Sequence, residues 1–206
     1  MKNILLSAVA ACALLFVSGA SAQDQPGHTS PAPGTSNDSV SAVKDAAGHV
    51  VGDVTAEATT TLKGFVSAAA ISDMYEVEAG KIAEDGSRNR QVRAFAAKMV
   101  KAHTQTTKEL KSILAGLGSS VAPVAPPANL DDRHQGMIDE LRGAKAADFD
   151  NRYLSQQIDA HKEALILMKS YAKDGDVAPV KAFARETAPI VQSHLDMAEH
   201  LSSAGK

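Results

Sequence analysis

The chain has no tryptophan, one cysteine and few aromatic residues, 4% of its 206 positions. The cysteine, Cys12, lies inside an apolar run from Ile4 to Val17. It reads either as a loose lipidation site in "VAAC" or as a filler residue lost with the run. Apolar residues continue past it, which favours filler. No cysteine follows, so the rest of the chain is expected to hold neither a disulfide nor a thiolate metal site. Basic residues are not in excess: Lys and Arg number 21 against 24 Asp and Glu, a net charge of −3. That balance argues against a nucleic-acid partner. Strand alternation, a glycine-rich phosphate loop and a nucleophile elbow are all missing from the pattern. A hydrolase using a His–Glu dyad would lack an evident nucleophile.

The start, "MKNILLSAVAACALLFVSGASAQD", has an early cation at Lys2, the apolar run, and Ala20-Ser21-Ala22 before Gln23. This is the layout of a secretory signal peptide over residues 1–22. The run is too short for a comfortable membrane span, and no later run is longer. The expectation is an exported protein whose mature chain has no transmembrane span. Residues 23–39 are rich in Pro, Gly, Ser and Thr and read as a disordered linker in which His28 is solvated. Residues 40–61 carry Val40, Val43, Ala47, Val50 and Val54 at helical spacing. Gly48 and Gly52 weaken that pattern, so it reads as an accessory segment with His49 on its polar side. Self-association or an envelope partner is the role this segment suggests.

Residues 62–203 read as all-α. Long helices are expected over about 63–85, 88–117, 147–173 and 177–203, with a shorter one over about 130–142. Short turns within each half and a longer, Pro-rich connection between halves predict an up-down bundle of four long helices. Asp148 and Asp150 open the third long helix as capping groups. Pro189 is expected to bend or restart the fourth.

Three histidines fall in phase with the core rows. His103 follows Met99 by four residues and precedes Leu110 by seven. His161 stands between Ile158 and Leu165, and His194 between Val191 and Leu195. His200 is turned to the flank and His134 is expected at the surface. On the first long helix Glu76 is in phase with Phe65, Ala69, Ala79 and Ala83. Counted from the helical turns at about 1.5 Å per residue, the three histidines agree in level within roughly 6 Å. Glu76 falls farther off, and Asp73 is closer in level but off the stripe. A buried charge or unpaired imidazole is expensive. A divalent ion of iron, zinc, copper or manganese would satisfy Glu76, His103, His161 and His194 together. A metal-free His/Glu hydrogen-bond network in a non-enzymatic interaction module is the competing reading, with Arg93 or Lys98 as alternative partners for Glu76. Met99, Met168 and Met197 flank the histidines, either as soft copper ligands or as core filler.

The stretches "FVSAAAISDMYEVEAGKIA", "VRAFAAKMVKAHTQTTKELKSI", "FDNRYLSQQIDAHKEAL" and "KAFARETAPIVQSHLDMAEHL" resemble, in order, the bacterial family known as domain of unknown function 4142. The resemblance covers about residues 62–202. It implies an exported, ferritin-like four-helix bundle, periplasmic or peripherally associated with the outer membrane, and its recurrent polar positions fall on Glu76, His103, His161 and His194. One departure is Ala102, where the family usually has an acidic residue before the histidine. A carboxylate partner for His103 is therefore expected to be missing. Di-iron sites place a Glu three residues before each histidine. Val100 and Ile158 occupy those positions, so a mononuclear site is the expected form.

Overall fold

The computed structural model describes residues 60–204. The expected signal peptide, the linker and all but the last two residues of the accessory segment lie outside them. The described residues are all-helical, with no strand among them: α1 Leu62–Gly86, α2 Arg90–Leu117, α3 Asp132–Gly143, α4 Phe149–Asp174 and α5 Ala178–Ala204, with a short 3-10 turn Gly118–Ser120 after α2. None of these helices is long and apolar enough to cross a membrane.

Side-chain oxygens start three of the helices. Thr61 accepts from Gly64 N, Asn89 from Gln91 N, and Asp131 from His134 N, each satisfying an otherwise orphaned first-turn donor. Asp148 differs from expectation. It occupies the cap position of α4 in helical backbone geometry and makes no side-chain capping bond, so only Asp150 in the first turn favours that helix end. At Pro189 the helix does not restart, because α5 runs unbroken across it.

The helices pack as a bundle. α1 lies along α2, α4 along α5, and the two pairs meet through α1 with α4 and α2 with α5; α3 covers α1 and α4. Helices α1 and α2 are antiparallel, since Asp73 meets His103 and Thr107 while Gly80 meets Ala96 and Val100. The core is in two parts. One holds Phe65, Leu110, Leu165, Tyr171, Phe183 and Val191. The other holds Tyr75, Phe95, Met99, Tyr153, Leu154 and Ala198. The polar residues fall where each helix passes from one cluster to the other. Asp73 lies between Ala69 and Tyr75, His103 between Met99 and Leu110, and His161 between Ala160 and Ala164. His194 lies between Val191 and Ala198. The apolar clusters on both sides close this level along the bundle and hold the helices that carry it.

Candidate metal centre

His103 on α2, His161 on α4 and His194 on α5 are buried, at 5%, 1% and 3% exposure. Their ring centroids form a nearly equilateral triangle with sides of 5.6, 5.5 and 5.8 Å. Each offers one nitrogen, and the three nitrogens lie within 4.8 Å of one another. In a tetrahedral site with metal–nitrogen distances of about 2.0–2.1 Å, ligand atoms stand roughly 3.3 Å apart, so small side-chain movements suffice to close the cluster on an ion.

The outer sides of two rings are fixed. His103 Nδ1 is 2.8 Å from Asp73 Oδ1. Asp73 is itself held by the hydroxyls of Thr106 and Thr107, each donating at 2.9 Å. His161 Nδ1 is 2.8 Å from the carbonyl oxygen of Gln157, one turn earlier on its own helix. A ring that donates from Nδ1 presents the lone pair of Nε2. His103 Nε2, His161 Nε2 and His194 Nδ1 are buried without any hydrogen-bond partner among the described residues. Leaving one such atom unpaired costs about 1–3 kcal/mol, and here each of the three clustered rings carries one.

Glu76 on α1 is 1% exposed, and neither carboxylate oxygen has a hydrogen-bond partner among the described residues. Its Oε1 stands 3.6 Å from His161 Nδ1, on the side of the ring away from Nε2. Burial pushes this carboxyl up to about 7, against the opposing pull of the His103 charge. Burial also pulls His161 down to about 3 and His194 to about 4, and the charge of His103 adds to both shifts. His103 goes the other way. Burial alone would lower it, but the Asp73 bond and the charges of Glu76 and Asp73 outweigh that and hold it above the usual imidazole value. Two of the three rings are thus neutral at ordinary pH, the form in which imidazole binds metal.

The sequence profile of the family described as Domain of unknown function (DUF4142) matches residues 51–201. The chain belongs to that family. No curated protein and no solved structure matches it. All three histidines, Asp73 and Glu76 lie within the DUF4142 domain.

Several expectations change. His103 does have a carboxylate partner: Asp73 of the neighbouring helix supplies what Ala102 does not. Asp73 looked off-stripe because α1 is buried on a broad face, on which Asp73 is 8% exposed. Glu76 is not a full turn from the histidine level, because it reaches His161. Arg93 and Lys98 do not pair with it: Arg93 donates to Ser87 O and Lys98 to Met197 Sδ. His134 is not a surface residue in the expected sense. Its side chain is 13% exposed, bonded to Asp131 and packed on Tyr75. His200 is exposed. Thr106 and Thr107 went unnoticed in the sequence. Their signal was spacing, three and four residues after His103, which places them on the same flank.

Proposed function

We propose that this DUF4142 protein is an exported, ferritin-like four-helix bundle of the cell envelope that binds one transition-metal ion. In this reading residues 1–22 direct export, and the mature protein works in the periplasm, with any outer-membrane association peripheral. The ion is held by His103, His161 and His194, with Glu76 as the anionic protein group beside them. Its work is metal binding or redox protection in the envelope.

The observation that carries this reading is the set of three partnerless, buried imidazole nitrogens, one from each of three helices. A hydrogen-bond network without metal would be expected to pair them. Three imidazole nitrogens with a carboxylate close by suit iron, zinc, copper or manganese. When bound, the ion supplies a Lewis-acid or redox centre. The chain's own part is to fix the rings through Asp73 and the Gln157 carbonyl, to hold the helices in place with the two apolar clusters, and to balance charge with Glu76. The competing reading, a metal-free His/Glu network in an interaction module, draws on the completed bonds around Asp73.

Thermal unfolding separates the two. Metal at about 100 times its Kd adds roughly 2.7 kcal/mol, which raises Tm by about 5–10 °C in a protein of this size. The rise should vanish in His103→Ala and His161→Ala. If iron, zinc, copper and manganese all leave Tm unchanged relative to chelator, the network reading stands.

A further inference from the structure

A cavity of about 240 Å³ reaches the histidine cluster from one side, between α1, α2, α4 and α5. Its lining includes His103 and His194 but neither His161 nor Glu76, so it meets two rings of the triangle edge-on. Apolar atoms make most of its surface, with Ala69, Met168, Phe183 and Val191 among the contributors. The exposed carboxylates Glu109 and Glu186 also line it, and so does the buried Asp73. No lysine or arginine is among its lining residues. Ile190, which lines it too, is 48% exposed and is the one large apolar side chain left exposed among the described residues.

These features define a ligand class. Concave, largely apolar sites with a few convergent polar groups take small organic molecules. At the rim, Glu109 and Glu186 meet no lysine or arginine among the lining residues, which disfavours anions at the entrance and favours neutral or cationic species. We infer that the cavity is the ligand pocket of the histidine centre, and that it admits a small uncharged or cationic organic molecule with an apolar body. The apolar body lies along α4 and α5, and the polar end meets His103 and His194. Ile190 gives the entrance an apolar lip. The inference rests on the metal reading only for what the polar end binds to.

Calorimetric titration of the full chain with 4-phenylimidazole, an uncharged aromatic nitrogen donor, tests it. Benzoate, an anion of similar shape, is the control. Both are titrated into chelator-treated protein and into protein exposed to cobalt(II), with cobalt uptake measured on the same samples. 4-Phenylimidazole should bind, and benzoate should bind at least ~10-fold more weakly. Ala102→Phe, at a half-buried lining position, should weaken 4-phenylimidazole at least ~10-fold. The double variant Glu109→Lys/Glu186→Lys, at exposed positions, should bring benzoate up toward 4-phenylimidazole and carries the test if Ala102→Phe does not fold. Absence of 4-phenylimidazole binding in both preparations overturns the pocket, as does equal binding of benzoate by the wild type. Binding that folded Ala102→Phe leaves unchanged overturns it too. Probe binding without cobalt uptake keeps the pocket and removes the metal; cobalt uptake without probe binding does the reverse.

Discussion

At the scale of single residues, the three histidines enter the cluster on unequal terms. His103 leans on Asp73, His161 on a carbonyl of its own helix, and His194 Nδ1 has no partner among the described residues. Outer partners of this kind typically tune metal affinity by 10–100-fold. Asp73→Asn should therefore weaken metal binding by about that factor while the protein stays folded, as measured by competition with a chromophoric chelator. Acid stability follows from the shifted groups. Between about pH 5 and 5.5 the unfolded chain carries protons on His161 and His194 that the native metal-free protein refuses. Over the same window native Glu76 holds a proton that the unfolded chain has lost. His103, which burial would lower but Asp73 and Glu76 hold above the usual imidazole value, adds its own pH dependence only near and above that value, outside this window. The unfolded state thus binds about one proton more, and metal-free stability falls on acidification by about 1.4 kcal/mol per pH unit. Glu76→Gln removes the offset and should double that slope in denaturant titrations with chelator present. The in-phase histidines were legible in the sequence because a 3.6-residue period places them on core rows. Asp73 was not, because its role depends on how α1 rotates against α2, which no single-helix pattern records.

At the scale of helices, the approach of α1 to α2 depends on Gly80. A Cβ there would sit 2.7 Å from Val100 Cγ2 and 3.1 Å from the Ala96 carbonyl oxygen. Gly80→Ala gains about 1 kcal/mol of helix propensity but forces an overpacked contact that costs about 1–3 kcal/mol. The expected net result is a loss of stability, partly recovered in Gly80→Ala/Val100→Ala, by urea unfolding. The extents of the helices were readable to within a few residues from apolar periodicity and from the Gly and Pro punctuation. Which of the two outcomes Pro189 has, a bend or a restart, was not. α5 continues through it, since packing against α4 and α2 holds a helix that local propensity alone would interrupt.

At the scale of the whole molecule, a polar layer lies between two apolar clusters, and every long helix contributes to it. Such a layer weakens the bundle unless its polar atoms are paired, so an ion at this level would act as a fastener between helix pairs as well as a chemical centre. That the chain is helical and belongs to DUF4142 was accessible from sequence. The level at which Glu76 meets His161 needed the relative shift of α1 and α4, and counting from turns misjudged it. The most direct test of the account is elemental analysis of the untagged protein, purified from cells expressing the full chain without added metal or chelator. The account predicts about one equivalent of a transition metal per chain in the wild type, and strong loss in each of His103→Ala, His161→Ala and His194→Ala. Folded wild-type protein that carries no stoichiometric metal and takes up none on incubation with iron, zinc, copper or manganese would contradict it.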